Sequence, residues 1–278
     1  MKRQPIGIFD SGVGGLTVFS AIRNRFPEED LVYFGDTARV PYGPKSKNTI
    51  IDYSIQNARF LNSLQVKLII VACNTSSAIA IKELRERFTV PIIGVLEPGA
   101  EQAVNKTKNK RIGIIGTEGT INSKAYQDEM WRIDPDIETF AIPCPLFVPL
   151  VEEGWHNHPV ADIITGEYLN SLLEKKIDTL VLGCTHYPIL KSVIQKFVGE
   201  QVVLIDSAEA ITSHLGEFLV THPDDYPSPE ASGEDKRSGK DLFYVSDNEE
   251  KFKNIASRLL NRDIENLTRV RLAESWYI

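Results

Sequence analysis

Two cysteines stand in similar surroundings, Cys73 in the segment ACNTSSA and Cys184 in the segment GCTHYP. Each follows a short apolar run and precedes a polar cluster that contains a threonine. A thiol between the end of a strand and the start of a helix lies near the positive end of the helix dipole, which lowers its pKa. A single cysteine is more often a small buried apolar residue, but the repeated polar setting predicts two active thiols. Cys144 lacks such a setting, and we interpret it as structural.

Further polar residues accompany these thiols. His186 follows Cys184 by two positions, so it could protonate a group or hold a thiolate. Asp10 precedes the turn SGVGG, which only loosely resembles a dinucleotide fingerprint, because Thr17 stands where the third glycine is required. The turn GTEGT at 116–120 either holds an anion or is simply a tight turn. Glu152 and Glu153 are interpreted either as helix-start charges or as one buried acid.

A pair of thiols has three chemical uses. Nucleophilic catalysis needs one thiol and a base, and redox chemistry needs two sulfurs close enough to bond. Inversion of a stereocentre needs a base on one face of a carbon and an acid on the other. A thiolate and a thiol from separate domains would meet that need, and they would titrate as a coupled pair.

The elements that must position these residues alternate between strands and helices, which predicts an α/β fold with mainly parallel sheets. Unbroken apolar runs such as LIIV at 68–71 are typical of strands buried on both faces. The predicted strands are Pro5–Phe9, Asp30–Phe34, Lys67–Ala72, Val90–Gly94, Arg111–Gly116, Asp136–Ile142, Thr179–Gly183, Gln201–Ile205 and Asp241–Val245. The predicted helices include Asn48–Leu64, Val160–Leu173, Ala208–Leu219 and Glu249–Leu260.

The segments 68–79 and 179–190 share one design, an apolar strand followed by a cysteine, a polar cluster and a helix. This internal repeat predicts two similar lobes. Since ligands bind beyond the carboxyl ends of parallel strands, we expect the active site in the cleft between the lobes. We predict a discontinuous first domain, 1–97 plus 208–278, and a second domain, 98–207. The polar segment 221–240 is predicted to be an exposed loop.

Composition excludes several classes of protein. The 278 residues include 38 acidic and 31 basic side chains, for a formal net charge of −7. This balance argues against binding to nucleic acid or to an acidic membrane. The N-terminal residues do not form a signal peptide and no apolar run is long enough to span a membrane, which predicts a cytoplasmic protein. Three cysteines without a CxxC or HExxH pattern predict neither a disulfide framework nor a metal site.

Four motifs together give the chain a family resemblance: GIFDSGVGGLTV (7–18), GDTARVPYG (35–43), ACNTSSA (72–78) and GCTHYP (183–188). The chain resembles the bacterial glutamate racemases, and PLFVPLVEEG (145–154) and GTEGT extend the likeness. The resemblance implies interconversion of L- and D-glutamate without a cofactor, supply of D-glutamate for peptidoglycan, and a homodimer. It also implies that Cys73 and Cys184 are the acid and base, assisted by Asp10, His186 and Glu152. The implied substrate-binding residues are Asp10, Ser11, Pro41, Tyr42, Gly43, Asn74, Thr75, Thr117, Thr120, Thr185 and His186.

Other functions stay open at this point. Any one of the motifs also fits the wider aspartate/glutamate racemase superfamily, so an aspartate racemase is the nearest alternative. A non-catalytic amino-acid binding protein on the same fold would bind glutamate without inverting it. A redox sensor would require the two sulfurs to reach bonding distance.

Overall fold

The computed structural model describes residues 4–222 and 238–272, and these residues form two separate parallel sheets. The six-stranded sheet, with the helices that pack on it, is called the first lobe. The four-stranded sheet, with its helices, is called the second lobe. Every pair of neighbouring strands in both sheets is parallel.

The first four strands of the chain build the core of the six-stranded sheet, and two late strands extend it. Its order from one edge to the other is β4-β3-β1-β2-β9-β10. The strands are β1 (Ile6–Asp10), β2 (Leu31–Gly35), β3 (Leu68–Val71), β4 (Ile92–Gly94), β9 (Asp241–Val245) and β10 (Leu267–Arg269).

The four-stranded sheet repeats this arrangement. Its order is β8-β7-β5-β6, which matches β4-β3-β1-β2 strand for strand. The strands are β5 (Arg111–Gly116), β6 (Glu138–Pro143), β7 (Thr179–Gly183) and β8 (Val203–Asp206). In both lobes the order reverses direction between the first and the third strand, and ligands of open α/β sheets bind at that point.

Helices cover both faces of each sheet because alternate residues of the buried strands point to opposite faces. Ile8 and Ile70 face one apolar cluster of the first lobe, whereas Phe9 and Val71 face another. The helices are α1 (Leu16–Arg25), α2 (Lys47–Ser63), α3 (Asn74–Arg87), α4 (Leu96–Lys106), α5 (Glu118–Ser123), α6 (Ala125–Ile133), α7 (Phe147–Glu152), α8 (Pro159–Leu173), α9 (Lys191–Val198), α10 (Ser207–Thr221) and α11 (Glu249–Leu260). Among the described residues, no helix combines the length and the apolar character needed to cross a membrane.

The two-lobed α/β architecture predicted from the sequence is confirmed, and each of the nine predicted strands is present within three residues of its predicted bounds. Strand β10 was not predicted, because LTR carries no apolar alternation. The structure also differs after β7, where a turn and a 3₁₀ helix (Tyr187–Leu190) precede α9. The predicted order of cysteine, polar cluster and helix is present, but the first turn after this cluster is 3₁₀, whereas α3 begins directly after Cys73.

The domain boundaries stay a proposal. The boundary at 97/98 lies in the first turn of α4, and the boundary at 207/208 lies at the start of α10. Strand β9 pairs with β2, so the C-terminal segment adds to the first sheet. Most of the predicted loop 221–240 lies outside the described residues.

Candidate functional site

A narrow cavity between the lobes contains both cysteines. Its volume is about 30 Å³, which is the space of roughly one water molecule in the liquid. Of the residues predicted for the site, those that line this cavity are Ser11, Pro41, Tyr42, Gly43, Cys73, Asn74, Thr75, Thr117, Cys184, Thr185 and His186. The cleft thus brings together residues from the ends of β1, β3, β5 and β7, the first and third strands of each lobe.

The thiol of Cys73 lies at the N-terminus of α3, a helix of 14 residues. Its Sγ lies 3.8 Å from Oγ of Ser11, to which it donates a hydrogen bond. Burial, followed by the negative charge of Asp10, raises the pKa of Cys73 to about 11. The predicted lowering of this pKa is therefore wrong in the closed cleft, because desolvation outweighs the helix N-terminus.

Cys184 is paired with His186, which links it to an acid. Sγ of Cys184 lies 3.8 Å from Nδ1 of His186, and Nε2 of the same ring lies 3.3 Å from Oε1 of Glu152. Burial lowers the pKa of His186, but the hydrogen bonds to Cys184 and Glu152 outweigh it and raise the pKa to about 10. The hydrogen bond that Glu152 accepts from His186 lowers the pKa of the Glu152 carboxyl. The imidazole is therefore a cation at neutral pH, between an acid and a thiol.

Asp10, the last residue of β1, lies behind the cavity and contacts both lobes. Its Oδ2 accepts a hydrogen bond of 2.9 Å from the N–H of Gly12, and its Oδ1 accepts one of 3.3 Å from Oγ1 of Thr185. Burial raises the pKa of the Asp10 carboxyl, and the positive charge of His186 opposes that rise. Asp10 thus connects the β1 end of the first lobe to the turn that follows Cys184.

Three threonine hydroxyls form a cluster across the cleft. Oγ1 of Thr75 lies 2.8 Å from Oγ1 of Thr117 and 3.3 Å from Oγ1 of Thr120. Thr117 also caps α5, because its hydroxyl accepts a hydrogen bond from the N–H of Thr120. The cap explains a hydroxyl residue at position 117 but not the threonine at 120, because the donor there is the backbone N–H.

Residues 40–43 form a further wall of the cavity, which meets the threonine cluster at Gly43. The hydroxyl of Tyr42 donates to Asp36, which is fully buried and also accepts a 2.9 Å hydrogen bond from Ser246. The hydroxyl of Tyr42 is therefore used within the first lobe, where its side chain packs in one apolar cluster with Cys73. A Cβ at Gly43 would lie 2.8 Å from Cβ of Thr117, so a glycine is needed where this wall meets the second lobe.

A wider cavity of about 410 Å³ adjoins the narrow one and opens to the surface. The two share Val40, Pro41, Gly43, Thr117 and Val148, and the wider one also contains Glu152. Two predicted site residues, Asp10 and Thr120, lie behind the residues that line the narrow cavity. Glu152 lies on the outer side of His186. The structure therefore assembles the predicted set around one cleft, and the individual roles stay predictions.

Some residues of the site were not predicted. Val40 and Val148 line the narrow cavity, and each directly precedes a proline, Pro41 or Pro149, inside a motif quoted for the family resemblance, which is a usable signal. Thr17 donates a 3.0 Å hydrogen bond to the carbonyl of Thr185 in the other lobe. Thr17 departs from the dinucleotide fingerprint in the sequence, but its hydrogen bond to Thr185 is visible only in the structure.

Comparison with known proteins defines the class to which this fold and site correspond. Residues 16–215 match the family model described as Asp/Glu/Hydantoin racemase. The match covers more than half of the chain, and the chain therefore belongs to this family.

Individual proteins similar to this chain show which members of the family it resembles. The glutamate racemase of Geobacter metallireducens is 46% identical over 272 residues, covering 98% of both chains. The crystal structure of the glutamate racemase of Francisella tularensis in complex with D-glutamate is 38% identical, with a TM-score of 0.89 over 99% of this chain and 100% of that chain. A glutamate racemase isoform from Bacillus anthracis is 36% identical, with a TM-score of 0.91 over 98% of this chain and 99% of that chain. Within the family, this chain belongs with the glutamate racemases, which are isomerases acting on an amino acid.

Proposed function

We propose that the chain interconverts L- and D-glutamate without a cofactor, by transfer of the α-proton between Cys73 and Cys184. The observation that carries this proposal is that the two thiols face one cavity from equivalent strands, β3 and β7, of two lobes with the same strand order. A stereocentre held between them would have one sulfur on each face. We further propose that the enzyme acts in the cytoplasm as a homodimer and supplies D-glutamate for peptidoglycan, as the family resemblance implies.

The two thiols begin the reaction in different states. His186 is protonated at neutral pH because its pKa is about 10, and its Nδ1 lies 3.8 Å from Sγ of Cys184, where it can assist that thiol as the base. Cys73 remains a thiol, since its pKa is about 11. Cys184 would therefore accept the α-proton of one enantiomer, and Cys73 would donate its proton to the opposite face. After one turnover Cys184 is a thiol and Cys73 a thiolate, which is the starting state for the reverse reaction.

The α-proton is weakly acidic, so the site must stabilise the carbanion that forms. The first turn of α3 presents backbone N–H groups that a helix leaves unpaired, and the threonine hydroxyls lie beside it. These donors are suited to the two carboxylates of glutamate. Glutamate is favoured as the substrate because the relative with D-glutamate bound is 38% identical over nearly the whole chain.

Solvent exchange tests the proton transfer. In deuterated water, L-glutamate should yield D-glutamate that carries deuterium at the α-carbon, and no pyridoxal phosphate should be needed. Unlabelled D-glutamate would rule out proton abstraction. Faster turnover of L-aspartate in the same assay would instead favour the aspartate racemase.

Cysteine substitutions test the assignment of the two bases. Cys73→Ala and Cys184→Ala should each reduce racemisation by at least about 10²–10⁴-fold, the range expected for loss of a general acid or base. Cys144→Ala is the matched control, because Cys144 is fully buried in the second lobe and does not line the cavity. Its rate should stay within about twofold of the wild-type rate. Full turnover by Cys184→Ala would contradict the two-base scheme.

A further inference from the structure

One buried tyrosine of the second lobe reaches the residue that follows Cys73 in the first lobe. Tyr126 lies on α6 and is 1% exposed. Its hydroxyl donates a 2.7 Å hydrogen bond to Oδ1 of Asn74. This is a short contact between lobes, and both of its partners are buried.

The ring of the same tyrosine packs against the residue that precedes the other thiol. A Cβ at Gly183 would lie 3.2 Å from Cε2 of Tyr126, so the ring lies directly on the backbone before Cys184. On the remaining side, a Cβ at Gly99 in α4 would lie 3.3 Å from the Tyr126 hydroxyl. Tyr126 therefore fills the space between the strand ends that carry the two cysteines.

The hydrogen bonds fix the orientation of the Asn74 amide. Its oxygen accepts from Tyr126, and its nitrogen donates to Oγ of Ser207 at 3.3 Å. Burial raises the pKa of Tyr126, so the phenol keeps its proton and remains a donor. Ser207 is the first residue of α10, where the chain returns from the second sheet to the first. Asn74, the first residue of α3, is thus held by Tyr126 of the second lobe and by Ser207 at the start of α10.

We propose that Tyr126 is a positioning residue that sets the separation of the two thiols, by bonding to Asn74 after Cys73 and packing on Gly183 before Cys184. The proposal rests on the two-thiol racemase function. Proton transfer between a sulfur and a carbon depends steeply on their separation, since an error of about 1 Å can cost about 100-fold in rate. Tyr126 acts through its neighbours and does not line the cavity.

Tyr126→Phe removes the hydroxyl and keeps the ring. In both directions of glutamate racemisation, kcat should fall by about tenfold while KM stays within about threefold, because the separation of the thiols changes whereas Asn74, a predicted substrate contact, keeps its hydrogen bond to Ser207. The matched control is Trp131→Phe on the same helix, whose indole donates to the carbonyl of Ile137. The control should keep the wild-type kcat. Wild-type turnover is measured first, so an inactive wild type refutes the function, whereas an active wild type with an unaffected Tyr126→Phe refutes the positioning role.

A double-mutant cycle separates positioning from a general loss of structure. In an Asn74→Ala background, Tyr126→Phe should change kcat by less than about twofold, because its partner is already gone. A tenfold fall in both backgrounds would overturn the proposal. Gly99→Ala provides a second variant that crowds the Tyr126 hydroxyl without deleting it, while alanine favours the helix. It should lower kcat without lowering the melting temperature, and a wild-type kcat in this variant would count against the proposal.

Discussion

His186 makes the surroundings of the two cysteines different, because it lies beside Cys184 and no histidine lies beside Cys73 among the contacts described above. It lies between Cys184 and Glu152 and is 3% exposed, whereas Cys73 has a hydroxyl partner and a nearby carboxylate. A protonated imidazole therefore lies beside one thiol, and the Asp10 carboxyl lies near the other. The proposed chemistry uses the two sulfurs in turn, but their surroundings are of opposite character.

The Glu152–His186 pair should make stability depend on pH in a defined window. His186 has a pKa raised to about 10, so its contribution is complete below its unfolded pKa of about 6.5 and is lost as the pH rises through about 10. Glu152 has a lowered pKa, so its contribution is present above the usual value near 4.5 and is lost as the pH falls through the folded value. The pair therefore stabilises the fold most strongly between about pH 4.5 and 6.5, and much of this stabilisation persists at pH 7.

Glu152→Gln should lower the melting temperature at pH 7 by roughly 2–4 °C, the shift that about 1 kcal/mol produces in a chain of this size. The difference from the wild type should shrink as the pH approaches and passes 10. Glu153→Gln is the matched control, because Glu153 is exposed and adjacent in the chain. Melting curves between pH 5 and about 10.5 provide the measurement. A constant difference across that range would show that His186 is not the partner that titrates.

At the scale of elements, the turn between β1 and α1 determines how closely the lobes approach. A Cβ at Gly14 would lie 2.4 Å from Nδ1 of His186 and 2.4 Å from Oγ1 of Thr185. No side chain fits there without moving the imidazole from Cys184. Gly14 therefore allows the close approach of His186 and Thr185 from the other lobe.

Gly14→Ala should reduce kcat by about 100-fold or more, because displacement of His186 by about 1 Å disturbs the thiolate partner. Gly12→Ala is the matched control in the same turn, since its Cβ would meet only the side chain of Val40, at 3.3 Å. Its kcat should fall by less than about threefold. Steady-state kinetics of both variants provide the measurement. Equal losses of kcat would mean that any added side chain in this turn lowers activity, whether or not it contacts His186.

The order of the elements was predictable from the sequence, because strands buried on both faces and amphipathic helices leave period and composition signals. LIIV before Cys73 and LVLG before Cys184 were sufficient to place both thiols at strand ends. The state of Cys73 was not predictable, because its pKa depends on burial by the opposite lobe and on the charge of Asp10. Contacts such as Tyr126 to Asn74 join residues 52 positions apart and leave no local pattern in either segment.

At the scale of the whole molecule, the narrow cavity is too small for the proposed substrate. A volume of about 30 Å³ holds roughly one water molecule, whereas glutamate has ten heavy atoms. We therefore expect the lobes to separate when the proposed substrate enters from the wider cavity, and to close again to exclude water from the proposed carbanion.

Thiol labelling should detect this opening. A maleimide should modify Cys73 and Cys184 in the folded protein although they are 4% and 5% exposed, and saturating D-glutamate should slow both reactions. Cys144 is the internal control, because it is fully buried in the second lobe and should react only after unfolding. Mass spectrometry of the peptides gives the rate at each site. Equal protection of all three cysteines would mean that the cleft does not open on its own.

The matching strand orders, β4-β3-β1-β2 and β8-β7-β5-β6, have a consequence for ancestry. Two copies of a polypeptide of half this length, each with one cysteine after its third strand, would bring two sulfurs together by forming a dimer with a twofold axis. A carbon atom on that axis would then have one sulfur on each side. Fusion of two copies would then free each half to diverge, so that one acquired a histidine beside its sulfur and the other did not.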